Sequence, residues 1–421
     1  MKSRIAGFAL ATLIATTATG QGLPRARPSD VGLSPDSLER IAPVLRTHVE
    51  SGKLPGMLAV VARHGKKAYV MSVGSQTMPG PQATAVFRIF SMTKPITSAG
   101  AMQLIERGKL RLDDAVSKYI PSFATVKVFA GGSAAQPQLR VPDRAITVAD
   151  LLTHTSGLTY GLFDSTPVDS IYLRAGLFGP GWTTSKLADS LARLPLKFSP
   201  GEKWNYSFST DVLGRVIEVV SGQTLDRFLD SSLFKPLKMT MTGFRATPAM
   251  LSRVIPIYTR GPDGKLQAQT PLLTPDYTTP GELLSGGGGL LSTPDDYLRF
   301  AQMLLNGGEL DGKRVLKRET VALMMQNHVP ESWVPLNIAD GWPIGRNGFG
   351  YGGAVRMDSD PSVAGSAGTF RWAGYGTTFF WVDPKNNLIG MLWMQYMPVM
   401  DNWALDGEFQ KRVYAALTDG R

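Results

Sequence analysis

Segments with strand character lie at the two ends of this chain and helical periods fill its middle, an order that few folds accommodate. Near the first end, Met57-Leu58-Ala59-Val60-Val61-Ala62 and Ala68-Tyr69-Val70-Met71 flank a turn at His64-Gly65-Lys66-Lys67 and read as a β-hairpin. Near the other end, Gly368 to Tyr375, Thr378 to Val382 and Leu388 to Met394 read as strands, the last two joined by a turn at Asp383-Pro384-Lys385-Asn386-Asn387. A final amphipathic helix uses Phe409, Val413, Tyr414 and Leu417. Between these ends, Thr147 and Asp150 can form a capping box, and Val212, Leu213, Val216, Ile217 and Val220 make one apolar stripe that stops at Gly222. Thr293, Pro294 and Asp296 open another helix, whose buried stripe is Tyr297, Leu298, Ala301, Leu304 and Leu305. One antiparallel sheet built from both termini, with a mostly helical insertion, satisfies all of these segments. The expected architecture is an α/β (α+β) fold, with an α/β subdomain from residues 24–120 plus 285–421 and a helical subdomain from 121–284.

Composition excludes several classes. The chain has 421 residues, of which 43% are hydrophobic and 19% charged, enough apolar material for a large core and too little charge for a disordered chain. Lys2 and Arg4 precede an apolar, small-residue stretch from Ile5 to Ala18, and Ala18-Thr19-Gly20 resembles a small-x-small cleavage site. Residues 1–20 therefore read as an export signal, residues 21–421 as the folded body, and the expected location is periplasmic or secreted. No later apolar stretch reaches the roughly 18 residues of a spanning helix. With no cysteine, the chain has no disulfide, thiol nucleophile or thiolate metal site. Its formal charge of +10 is scattered rather than clustered with aromatics, which argues against a nucleic-acid partner.

Ser91-Met92-Thr93-Lys94 carries the chemistry. A serine one helical turn ahead of a lysine sets a nucleophile and a potential base on one helix face. Phe87-Arg88-Ile89-Phe90 reads as an extended lead-in, Pro95 suits a first helical turn, and a buried helix then runs to Gly108. Ser91 is thus expected at a helix N-terminus, where free N–H groups favour an oxyanion. The same spacing at Ser232-Leu233-Phe234-Lys235 precedes Pro236 and has no such helix behind it. Lysine, with a reference pKa near 10.4, is charged at neutral pH, so it becomes a base only if its environment shifts it by about 4 kcal/mol. A tyrosine partner can share the proton. Of the 12 tyrosines, Tyr206 is the best placed, on the turn-rich loop Pro200-Gly201-Glu202-Lys203-Trp204-Asn205-Tyr206-Ser207 just before the Asp211 helix.

Five ordered segments now add up. Ser91-Met92-Thr93-Lys94, Leu151-Leu152-Thr153-His154-Thr155-Ser156-Gly157, Tyr206-Ser207 ahead of Asp211-Val212-Leu213-Gly214, Gly286 to Gly289, and Phe370-Arg371-Trp372-Ala373-Gly374 together resemble the serine β-lactamase and penicillin-binding-protein superfamily. Within it they most resemble the family VIII carboxylesterases, relatives of the class C β-lactamases, and the likeness runs from about residue 30 to about 417. The resemblance implies a β-lactamase/transpeptidase-like fold, Ser91 as nucleophile, and Lys94 with Tyr206 as shared base and acid. It also implies an oxyanion hole from the backbone N–H groups of Ser91 and Tyr375. Trp372-Ala373-Gly374 occupies the place of Lys-Thr-Gly in β-lactamases and of Trp-Gly-Gly in many family VIII esterases, so Ala373 departs from both. Trp372 offers an apolar face where a lysine or histidine would bind a substrate carboxylate, and strand alternation turns Arg371 to the other side. Phe208 replaces the asparagine of Tyr-x-Asn. Trp372, Gly374, Tyr375 and Phe208 are thus the expected substrate-binding set, and both departures favour a neutral ester.

The remaining features weigh less. His154 is expected to pack as scaffolding rather than to serve Ser156 as a base. His48, His64, His154 and His328 have no metal-ligand spacing, so no metal or cofactor is implied. The Gly286 to Gly289 run is expected to form a close-packed turn, since no phosphate-loop ending follows it. Tyr160, Phe163, Tyr172 and Trp182 are candidates for an acyl or alcohol pocket. The expected function is a serine carboxylesterase acting on small neutral esters. Its rivals are a class C-like β-lactamase or DD-peptidase, an acyltransferase and, from another class, a non-catalytic envelope ligand sensor.

Overall fold

Seven antiparallel strands form the main sheet of the computed structural model, which describes residues 22–74, 80–179, 181–269, 277, 283–339, 342–358, 364–397 and 399–419. The segment expected to direct export lies outside the described residues. In chain order the strands are β1 (Gly56–Arg63), β2 (Lys66–Gly74), β3 (Asn347–Phe349), β4 (Ala354–Arg356), β5 (Phe370–Gly374), β6 (Thr378–Asp383) and β7 (Leu388–Trp393). Their spatial order is β3-β4-β5-β6-β7-β1-β2, so the sheet closes where the first strand of the chain meets the last, with Leu58 opposite Trp393 and Arg63 opposite Leu388. The β1–β2 turn is made by His64 and Gly65 alone, both at positive φ, as a two-residue hairpin requires.

Alternation along the central strands explains the layers. Leu58, Val60 and Ala62 of β1 enter one core with Phe380, Val382, Ile389, Met391 and Trp393, whereas Met57, Ala59 and Val61 enter a second core with Phe379, Trp381, Leu388 and Leu392. A sheet buried on both faces needs helices on both. α1 (Ile41–Glu50) and the C-terminal helix Trp403–Ala415 cover the second core, through Ile41, Leu45 and Val49 and through Leu405, Phe409 and Val413. α2 (Thr93–Glu106), α3 (Val148–Thr153), α4 (Ser209–Ser221) and α5 (Pro294–Leu305) share the first core. Thr147 and Asp150 form the expected capping box of α3, and Gly222 ends α4 in the left-handed conformation. Thr293 caps α5 by accepting from the Asp296 N–H, while the Asp296 carboxylate accepts from the Met241 N–H at 2.7 Å and so ties the insertion to this helix.

The middle of the chain is more mixed than its periodicity predicts. It contains two small hairpins, Val128–Gly132 with Pro137–Arg140 and Ile257–Arg260 with Leu266–Gln269, beside several short helices. These strands are four or five residues long and largely solvent-facing, so they carry no apolar alternation to read. No helix among the described residues is long and apolar enough to cross a membrane.

Candidate active site

Ser91 sits in a 3₁₀ turn, Phe90–Met92, that runs directly into α2, two residues before that helix begins. Two neighbours fix that turn. The short strand Phe87–Arg88 ahead of it pairs with Leu291–Ser292, and the Ile89 N–H donates to the Leu290 carbonyl at 3.1 Å. Phe90 is held at a φ of 42°, a conformation that costs an aromatic residue of order 1–3 kcal/mol and so marks a position over-determined by its surroundings. The end of β5 approaches from the other side. A Cβ on Gly374 would strike the Ile89 carbonyl, so only glycine lets the strand come close enough to lay Tyr375 beside the serine turn, where its ring packs edge-on to Phe90 at 6.2 Å.

Lys94 is completely buried. Its amine lies 3.1 Å from Ser91 Oγ and donates to the Gly287 carbonyl at 2.8 Å, with the Tyr206 and Tyr160 rings 4.5 and 5.3 Å away. Burial in this apolar surround pulls its pKa down to about 7, against the opposing pull of the Asp211 carboxylate. Tyr206 moves the other way. Burial raises the affinity of its phenol for its proton, while hydrogen bonds with Ser91 and Trp372 offset part of that, so the phenol stays neutral near pH 7. The Trp372 indole N–H reaches the Tyr206 hydroxyl at 3.4 Å.

The Leu151–Gly157 stretch is the bed on which Tyr206 lies. His154 ends α3 in the left-handed conformation, its carbonyl accepts from the Asn205 N–H at 2.9 Å, and its Nδ1 accepts from the Ser207 N–H at 3.3 Å. The imidazole packs 5.0 Å from the Tyr206 ring. Burial, and then the charge on Lys94, drive its pKa well below the usual value, so it is a neutral ring. Ser156 does not pair with it; Ser156 Oγ lies 2.7 Å from Ser209 Oγ and Ser209 Oγ 2.8 Å from Ser207 Oγ, a buried hydroxyl chain behind the tyrosine. Ser232 of the second serine–lysine pair lies in a π-helical turn, and Lys235 pairs with Asp230 at 2.6 Å.

Ser91 and Tyr206 open into a cavity of about 310 Å³. Tyr160, Phe163, Phe178 and Phe208 form its insertion-side wall, with ring centroids 4.5 Å apart for Tyr160–Phe208 and 5.3 Å for Phe178–Phe208. Trp372, Ala373, Gly374 and Tyr375 form the sheet-side wall. Tyr172 is instead buried in the core, and Trp182 donates its indole N–H to the Gly176 carbonyl away from the cavity. Arg371 leaves the opposite face of β5 and pairs with Asp406 at 2.5 Å. Among the described lining residues the only charged side chain is Asp211; none is Lys, Arg or His. Among the described residues, no cluster of three or more His, Asp or Glu side chains is placed to hold a metal ion.

Asp211 is the site residue that sequence reasoning passed over. It was legible only as a position in the first turn of α4, yet its carboxylate accepts from Ser285 Oγ at 2.5 Å and from the Gly287 N–H at 3.1 Å. Gly287 cannot carry a side chain, since a Cβ there would strike the Asp211 carboxylate and come within 2.9 Å of the Tyr160 hydroxyl. The glycine run is therefore a close-packed turn between an acid and an amine.

With this geometry in view, the comparisons with known proteins fall into place. A family model described as Beta-lactamase matches residues 41–415, and the chain belongs to that family. Within it, the chain groups with the family VIII esterases that its motifs resemble. It is 34% identical over 368 residues to Protein Rv1367c of Mycobacterium tuberculosis, covering 84% of this chain and 89% of that one. Esterase EstB of Burkholderia gladioli is 32% identical over 368 residues, covering 81% and 86%. Among solved structures, EstCE1, described as a hydrolase with promiscuous acyltransferase activity, superposes with a TM-score of 0.76 at 27% identity, covering 90% of this chain and 99% of that one.

Proposed function

We propose that the protein is a serine carboxylesterase that hydrolyses small neutral esters through an acyl-enzyme on Ser91. The observation that carries this reading is a buried lysine, bonded to Ser91 and poised to be neutral near pH 7, beneath an apolar cavity whose described lining has no cation. The neutral Lys94 amine takes the Ser91 hydroxyl proton as Oγ attacks the ester carbonyl. The backbone N–H groups of Ser91 and Tyr375 then stabilise the oxyanion. As the tetrahedral species collapses, the alkoxide leaves with a proton relayed from the Lys94 ammonium by the Tyr206 phenol. A water loses its proton to the same pair, attacks the acyl carbonyl and releases the carboxylic acid, and Ser91 recovers its proton. Because the phenol resists ionisation more strongly than the ammonium, Lys94 is the base and Tyr206 the relay.

A β-lactam or a D-Ala-D-Ala peptide brings a carboxylate, and nothing basic among the described lining residues would receive it. Trp372 and Phe208 give that region apolar walls suited to an uncharged acyl or alcohol group. Transfer of the acyl group to an alcohol instead of water is the second reading, supported by the activity printed for EstCE1. The test compares p-nitrophenyl butyrate, nitrocefin and a D-Ala-D-Ala peptide, with and without added alcohol, on wild type and Ser91→Ala. Turnover of the ester is expected to exceed the others, and Ser91→Ala to lose about 10³-fold or more in kcat together with all labelling by a fluorophosphonate. Preference for nitrocefin or the peptide would overturn the reading. Export to the periplasm or medium is part of the same proposal, and the N-terminal mass of the mature chain recovered from each cell fraction tests it.

A further inference from the structure

Among the described residues Lys94 hydrogen-bonds with Ser91 Oγ and the Gly287 carbonyl, and the second contact decides where the amine points. A lysine side chain has four rotatable bonds, so a buried amine needs a fixed acceptor to hold its lone pair toward the serine. Gly287 is that acceptor, and what holds Gly287 is Asp211. One carboxylate oxygen, Oδ1, accepts from both the Gly287 N–H and Ser285 Oγ, and so ties two residues of the turn whose carbonyl receives the lysine. We propose that Asp211 is a positioning residue that clamps the Ser285–Gly288 turn and thereby aims the Lys94 amine at Ser91, its negative charge opposing the desolvation of that amine.

The surroundings support this. Asp211 is buried, stands in the first turn of α4 where the helix favours an anion, and has no basic side chain in ion-pair contact among the described residues; Lys94 acts on it through its charge alone. Burial holds its proton affinity above the ordinary carboxylate range, with the Lys94 charge, the Ser285 hydroxyl and the Gly287 N–H opposing only part of that rise. The titratable groups facing the pair are the phenols of Tyr160 and Tyr206, held neutral by burial, and the neutral imidazole of His154. None of these supplies a second negative charge. The Asp211 charge favours the protonated Lys94 amine, so its removal has a readable sign.

This inference rests on the esterase reading, and the experiment separates the two. Fluorophosphonate labelling of wild-type Ser91 is measured against pH, followed by Asp211→Asn and Ser285→Ala. Asp211→Asn retains an acceptor oxygen but no charge; it is expected to move the acid limb of kcat/KM and of labelling downward by about half a pH unit or more, with kcat reduced about tenfold and KM little changed. Ser285→Ala removes one of the clamp's two hydrogen bonds and is expected to lower kcat about threefold or more without altering KM. An acid limb in Asp211→Asn that coincides with wild type overturns the proposal, as does unchanged kcat in Ser285→Ala. Should Asp211→Asn fail to fold, the Ser285→Ala result decides. A wild type that is never labelled overturns the esterase reading instead.

Discussion

At the scale of single residues, the site is built around one expensive placement. Lys94 in water keeps its proton to a pKa of 10.5, and burial brings this to about 7. The difference corresponds to roughly 5 kcal/mol between its two protonation states. Two consequences follow for pH. Below about 7 the amine is charged and cannot accept the Ser91 proton, so kcat/KM is expected to rise with pH through that region and level off above it. Stability has its own window: between about 7 and 10.5 the unfolded chain binds the proton that the folded chain has lost, so this group's contribution to folding improves as pH rises and is least favourable below 7. Lys94→Met is expected to abolish turnover and, in urea melts at pH 7 and pH 10, to be stabilised relative to wild type more at the lower pH. Equal differences at both pH values would mean that the lysine is not desolvated. Ser91 and Lys94 were legible because their spacing on one helix is local. Asp211 was not, because its partners Ser285 and Gly287 lie more than seventy positions away.

At the scale of elements, the cavity beside Ser91 is a seam between the helical insertion and the end of β5. The insertion contributes an aromatic wall in which Phe208 packs between Tyr160 and Phe178. Truncating a buried aromatic leaves a void that its neighbours fill only in part. Phe208→Ala is therefore expected to cost about 3–5 kcal/mol in a urea titration and to raise KM for short esters while leaving Ser91 open to a fluorophosphonate. A loss below about 1 kcal/mol would show that the wall is not packed as described. Helices α4 and α5 were readable because each keeps an apolar stripe and a clear cap or stop over three or more turns, and α2 because it is a long, largely apolar run that stops at Gly108. Strands β3 and β4 were missed because three residues are too few to show alternation, and their place is fixed by pairing, β4 with β5 and β3 with β4.

At the scale of the whole molecule, the chain begins and ends in one sheet, and the site depends on that closure. β7 lies between β6 and β1, so it joins the β5–β6 hairpin, whose turn holds Tyr375, to the N-terminal hairpin. A chain ending before Leu388 loses both the central strand and the C-terminal helix, leaving two cores open to water. Such a truncation is expected to be insoluble or to lack a cooperative thermal transition by circular dichroism, whereas removal of residues 1–21 is expected to leave the melting temperature unchanged. A soluble, cooperatively folding truncation would contradict the closure described here. By itself the sequence determined the sheet from both termini, the serine–lysine pair, the tyrosine loop and the apolar substitution at Trp372, because spacing, caps and alternation act over a few residues. Tertiary structure alone decided the state of the lysine, the clamp of Asp211 on the glycine turn and the closeness of Gly374 to the serine turn. Those depend on burial and on contacts between segments far apart in the chain, which no local pattern encodes.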